Sequence, residues 1–463
     1  MTAPLAFRGR HLGALAPFAL FLAGVAWLAL RGAPDEKGFW PVLLAALALG
    51  LALARERARY ADAVVAAMAQ PVVMLMVLAW LLSGALGAVL NASGMVEALA
   101  WGAHALHVTG AAYVGVAFLA CALVSTATGT SFGTLMLAGP LLYPAGGALA
   151  APAAVLMGAI LAGATFGDSI SPVSDTTIAS AGSQGTDIAG TVRARLKYVV
   201  PAGLAALAAS MALAALGDAP AAPVAAGGVT GSPSALAMLL VPALVVTLLV
   251  RGTDLLTGLM AGIVLAVAAG LALGRLAPTD VLRIDAASFG AKGLLIDGMS
   301  RGIGVSVFTL LLVGLVGALQ ASGAVEGVLA RAQRQARTPR AAEGVIVGSV
   351  SVAVLLTTHS VVAMLTVGPF VRALGERTGL SAYRRANLLD MTVCTWPFLL
   401  PFFLPTILAS SASASGEGAG MPRVGPLDAG LHNTYAWALL AVVALAVASG
   451  WGRGEGAAAP PPA

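Results

Sequence analysis

The chain has 463 residues, of which 59% are hydrophobic and 10% charged, with a formal net charge of +5 and a mean hydropathy of +0.93. Soluble domains carry roughly 25% charged residues, so a water-soluble fold is excluded. Continuous uncharged runs of about 17–20 residues point to membrane-crossing helices and not to the short alternating strands of a barrel.

Taken in chain order, the first apolar run, 12–31, is longer than the roughly 7–15-residue core of a signal peptide and is expected to cross the membrane. Further crossings are expected at 39–54, 64–90, 149–181, 199–216, 235–250, 255–274, 302–320, 386–415 and 434–450. Two other apolar stretches, 109–147 and 341–371, are interrupted at "STATGTS" (125–131) and "TTHS" (357–360). Each half of the second is about thirteen residues, or about 20 Å as helix, which is too short to cross. Both are expected to be re-entrant helical hairpins, since irregular backbone at that depth needs protein or a polar cavity around it. With the N-terminus inside, ten crossings and two hairpins put 18 Lys and Arg inside, Arg195, Arg384 and Arg385 among them, against 7 outside, 25 in all. That division obeys the positive-inside bias and places both termini on the cytoplasmic side.

The chain also repeats. Ser93, Gly94, Val96 and Glu97 match Ser322, Gly323, Val325 and Glu326 at an offset of 229, and the same offset takes Thr128 to Thr357, Ser131 to Ser360 and Pro140 to Pro369. The segment after each "SG" falls outside in the first half and inside in the second. The fold class expected is therefore an all-α polytopic membrane protein of two inverted repeats of five transmembrane helices, each with a re-entrant hairpin and a broken helix. The repeats are 1–216 and 235–450, with a linker at 217–234 and a disordered tail at 451–463. Inverted repeats with discontinuous helices at midplane are the architecture of secondary transporters.

Chemistry concentrates at "GDSISPVSDTT", residues 167–177, in the middle of a 149–181 run that is longer than one crossing needs. Gly167, Pro172 and the hydroxyl cluster are expected to break that helix. Freed carbonyls and Ser171, Ser174, Thr176 and Thr177 can then replace the hydration shell of a cation, and Asp168 and Asp175 supply charge. An intramembrane carboxylate is a functional candidate by default; helix capping is the competing reading. Asp390, with Thr392 and Thr395, is the sparser second-half counterpart, unless it is an interfacial residue beside Arg384 and Arg385. The hairpin tips Thr128, Gly129, Thr130, Ser131 and Thr357, Thr358, His359, Ser360 are expected to meet the broken spans, offering hydroxyls to a cation and helix N-termini to an anion. His359 is either a hydrogen-bonded structural histidine or a proton carrier. Glu97 and Glu326 read as helix-terminal residues, and His104 and His107 as an exposed pair. Cys121 and Cys394 read as buried thiols.

These residues carry a resemblance. "FGDSISPVSDTT", "ATGTSFGT" and "LSGALGAVLNASGMVEAL" resemble the NhaC-type sodium–proton antiporter family of the ion transporter superfamily, from about residue 70 to 410. The resemblance implies an inner-membrane secondary transporter, not an enzyme, that exchanges external protons for internal Na+, in some members with organic substrates. It implies two inverted repeats, commonly moving as an elevator. Asp168, Ser171, Ser174, Asp175, Thr176 and Thr177 match the family's motif, and Thr128 to Ser131 its first tip. The second half departs. His359 stands where the family often has Asp, and Leu389–Asp390 where it has a Glu-Asp pair. "PFFLP" stands in place of a Pro-Trp-Asn turn. The aromatics Trp396, Phe398, Phe402 and Phe403 favour an apolar organic moiety, so a Na+- or H+-coupled transporter of a small organic acid, amine or amino acid is the alternative. The partners expected are the bilayer, Na+ and protons, with an organic substrate and a homodimer left open. No cofactor and no nucleic acid are expected.

Overall fold

The protein is described by a computed structural model covering residues 4–31, 36–95, 97–98, 101, 110–172, 174–217, 233–251, 253–286, 290–324, 338–357 and 360–453. The pairs His104/His107 and Thr358/His359, Glu326, Arg331 to Arg337, most of the linker and the tail beyond Arg453 lie outside the described residues.

The chain is all-α, as expected, and six helices among the described residues are long and apolar enough to cross a membrane. It opens with α1 (Arg10–Leu30) and α2 (Trp40–Leu53), which pack on each other. The single crossing expected at 64–90 is two elements, α3 (Arg57–Met68) and α4 (Pro71–Ala92). Pro71 is the reason: a residue before proline is driven out of the α region, and Gln70 sits at ψ 136°.

The first hairpin is α5 (Gly110–Thr128) and α6 (Ser131–Leu142), followed by the broken span α7 (Ala153–Ile170) and α8 (Asp175–Gln184) and the long α9 (Ile188–Leu216). After it come α10 (Leu240–Val250), α11 (Leu255–Ala272) and a small antiparallel ribbon, β1 (Arg283–Asp285) with β2 (Gly290–Lys292). The second half continues with α12 (Leu294–Ala321), the hairpin α13 (Pro339–Thr357) and α14 (Ser360–Thr378), and the broken span α15 (Ala382–Val393) and α16 (Leu404–Ser413). Short α17 (Pro426–Leu431) and α18 (Thr434–Ser449) close it.

The arms of the second hairpin are not thirteen residues but 19 each, and Pro339–Thr357 is long enough to cross. The sequence reading cut them at their charges. Charges within the longer helices are matched: Glu343 is buried against Arg384 and Arg453, and Arg372 pairs with Glu376 one turn on.

Helix bounds recur at the offset of 229. Gly110 and Thr128 become Pro339 and Thr357, Ser131 becomes Ser360, Ala153 becomes Ala382, and Asp175 and Gln184 become Leu404 and Ser413. The packing is reciprocal as well. The second hairpin arm of the first half, α6, lies on the second half-helix of the other half, α16, and α14 lies on α8. Both crossings are made close by glycine. A Cβ on Gly139 would lie 2.7 Å from that of Ala412, and one on Gly368 would lie 2.8 Å from that of Ser183, the same pair exchanged by 229. The breaks differ in length: Ser171–Ser174 in the first half against Cys394–Phe403, with a 3-10 turn at Trp396–Phe398, in the second.

Candidate functional site: a broken helix facing a hairpin tip

The break begins where Ser171 precedes Pro172. Ser171 takes an extended conformation (φ −77°, ψ 130°), which the following proline enforces, and Ser174 is likewise extended before Asp175 restarts the helix. Thr177 Oγ1 reaches back 3.1 Å to the Ser171 carbonyl, so one freed acceptor is closed locally. Two further bonds tie the broken span to the first hairpin arm: Ser125 Oγ donates to the Ala164 carbonyl at 2.7 Å and Ser171 Oγ to the Thr126 carbonyl at 2.8 Å.

The tip opposite is built by Gly129, whose φ of +68° favours glycine, and by Thr130, which caps α6 by accepting from the Gly133 N–H at 3.2 Å. That geometry starts α6 at Ser131 and aims its hydroxyl at the break: Ser131 Oγ donates 3.0 Å to Asp168 Oδ2. Asp168 is 4% exposed, and its Oδ1 is buried with no hydrogen-bond partner among the described residues. Asp175 is exposed at the first turn of α8, where the helix terminus favours a negative charge. Asp175 and Asp390 both act electrostatically on Asp168. Ser174 and Thr176 bond each other at 2.9 Å, and Thr128 turns back to the Val124 carbonyl of its own helix at 2.9 Å.

Asp390 is not beside Arg384 and Arg385. It is fully buried and ion-paired with Arg195, which is itself wholly buried, and it accepts from Ser180 Oγ at 3.2 Å. Arg195 is therefore not an interfacial anchor, as its place among the inside cations had suggested. It lies within α9, which begins eleven residues before the run expected at 199–216. Nor are Arg384 and Arg385 free interfacial cations. Arg384 donates to Glu343 at 2.9 Å and Arg385 to Gln184 at 3.0 Å. In the second tip Thr357 is buried and Ser360 opens α14, while Thr358 and His359 lie outside the described residues. The aromatics of the second break are committed to packing. Phe402 meets Phe21 of α1 edge-on with ring centroids 6.0 Å apart, Phe403 packs on Phe402, and Trp396 Nε1 donates to Ser351 Oγ at 2.8 Å. A separate cleft of about 40 Å³ lies between α4, α6, α12 and α16, lined in part by Trp80, Ser83, Met136, Arg301 and Ser415.

A hairpin tip meeting a broken, carboxylate-bearing crossing defines the class: a multi-pass helical membrane protein with a buried carboxylate facing a hairpin tip in its interior. Comparison points the same way: residues 42–217, which hold the whole of this constellation except Asp390, match the model of the Na+/H+ antiporter family, in line with the motif resemblance. Three relatives resemble shorter stretches. The malate-2H(+)/Na(+)-lactate antiporter of Bacillus subtilis (strain 168) is 43% identical over 82 residues, 18% of either chain. The Na(+)/H(+) antiporter NhaC of Alkalihalophilus pseudofirmus is 41% identical over 83 residues, again 18% of each. The arginine/ornithine antiporter ArcD of Halobacterium salinarum is 37% identical over 108 residues, 23% of this chain and 22% of its own. The matches thus span about a fifth of these relatives' lengths.

Proposed function

We propose that the chain is a secondary antiporter that exchanges Na+ for protons at Asp168 and Asp175 by alternating access. The observation that carries this reading is Asp168 itself: a buried carboxyl, oriented by Ser131 from the facing hairpin tip, with its second oxygen unpartnered among the described residues. Hard cations prefer oxygen donors, and the Asp175 carboxylate with the hydroxyls at the break adds more. A bare charge is costly inside the membrane. The site can cross when a proton or a Na+ neutralises it, and competition for the same carboxylates couples the two fluxes. The recurring helix bounds and reciprocal crossings support two repeats about a pseudo-twofold, which we take as inverted, with both termini cytoplasmic in the inner membrane. The relatives, all named as antiporters, support exchange as the mode.

The test is Na+-driven proton flux in everted vesicles. Added Na+ should dissipate a pH gradient in the wild type, and Asp175→Asn should abolish the response while the protein remains in the membrane. An equal response in the mutant would overturn the site.

A second reading rests on the cleft at Arg301. Arg301 is exposed, has no ion-pair partner among the described residues, and sits beside apolar walls and the Trp80 ring. Its guanidinium can pair with a carboxylate, and at about 40 Å³ the cleft has room for the head group of a small organic acid but not for the whole molecule. Proton flux that needs an organic acid in addition to Na+ would favour it.

A further inference from the structure

The strongest unexplained feature is the buried cation of α9. Arg195 has no exposed surface, yet a guanidinium stays charged at any pH the protein meets. A buried ion pair is seldom needed for stability, since apolar residues of similar volume often do as well. Its contacts are specific. One nitrogen, Nη1, pairs with Asp390 Oδ2, and Nη2 donates 2.6 Å to Thr177 Oγ1, the hydroxyl that closes the Ser171 carbonyl at the break. Ser180 donates to the same Asp390 oxygen, and Cys394 Sγ lies 3.7 Å from the other. The guanidinium therefore joins a second-half carboxylate to the first-half broken helix. Asp168, Asp175 and Asp390 interact electrostatically, and Arg195 is the cation that the structure pairs with one of them.

We infer that Arg195 is a tethered cation. It holds the place beside Asp390 that a free monovalent ion would otherwise take, confines exchange to Asp168 and Asp175, and fixes the broken helix through Thr177. It is a positioning residue, acting on the transported ion through Asp390 and Thr177. The inference rests on the exchange reading above and adds what limits that site to one exchangeable cation position.

The test uses full-length protein in liposomes, comparing wild type, Arg195→Lys, Arg195→Gln and the double variant Arg195→Gln/Asp390→Asn. Three quantities are read: the Na+ concentration dependence of proton flux, its response to added guanidinium ion, and the melting temperature in detergent. Wild type should show single-site Na+ dependence and no response to guanidinium. Arg195→Gln should raise the half-saturating Na+ concentration by about tenfold or more, the scale of losing hydrogen bonds to charged groups. Its Na+ dependence should become cooperative, and guanidinium should restore flux. Arg195→Lys should stay nearer to wild type than Arg195→Gln. The double variant should melt above Arg195→Gln, because no charge is left unpaired, and should recover single-site dependence. If Arg195→Gln cannot be purified folded, the double variant decides: recovery of single-site flux supports the tethered cation, and a folded but inactive double variant overturns it by placing Asp390 in the ion path. Wild-type flux with an unaltered Arg195→Gln overturns the inference alone. Absence of Na+-driven flux in the wild type overturns the exchange reading and this inference with it.

Discussion

Two aspartates nineteen residues apart show how differently the same side chain is used. Asp168 is held inside by one hydroxyl, whereas Asp187 caps α9 in the open, accepting from the Gly190 N–H at 2.6 Å and from the Tyr383 hydroxyl at the start of α15. The Tyr383 bond holds the Asp187 carboxyl below the usual carboxylate range, with the Gly190 N–H adding to it. A depressed folded-state value means the contribution to stability is present above the ordinary value of about 3.9 and is lost as pH falls through the depressed one. Asp187→Asn keeps the cap but removes the titration, so its melting temperature should fall less than wild type's between about pH 6 and about pH 3. At this scale the sequence was readable where chemistry is local. Asp168, Asp175 and the pre-proline Ser171 stand out because costly oxygen sits in an apolar run. Arg195 did not stand out, because its partner is 195 positions further on, at Asp390, and a basic residue near a helix start looks like an anchor.

Among elements, the second hairpin was recognised by its interruption but measured short, because its charges were read as helix ends. The structure matches them instead. Glu343 on α13 is wholly buried, accepts from Arg384 Nε at 2.9 Å and from Arg453 Nη2 at 2.6 Å, and Arg384 also donates to the Tyr198 hydroxyl at 2.7 Å and to the Ala446 carbonyl at 3.0 Å. This network pins α13, α15, α9 and the end of α18 together. Removing one member of a buried pair costs about 3–5 kcal/mol because the other charge is stranded. Glu343→Gln should therefore lower stability by about that amount in a detergent unfolding titration, and adding Arg384→Met should recover part of it. The crossing of α6 on α16 is tuned as closely. Gly139→Ala should cost about 1–3 kcal/mol, as overpacking does, and Ala412→Gly should restore it, since the new methyl would fill the space the old one leaves. The aromatics of the second break were legible as a departure, but not as packing. Only the fold shows Phe402 against Phe21.

For the molecule as a whole, the offset of 229 was visible as matched Ser, Thr and Pro, and it returns in helix starts that coincide to the residue. What no sequence pattern displays is that the repeats exchange partners, each hairpin arm seated on the other half's broken helix. That exchange has a consequence in time. Gly139 and Ala412 are 412 − 139 = 273 residues apart, and a ribosome adding about 5–20 residues per second needs about 14–55 s to make the second after the first. Throughout that interval the small-residue face of α6 has no α16 to receive it. The first half must wait in the bilayer with that face covered by lipid or by an insertion factor until α16 has been made.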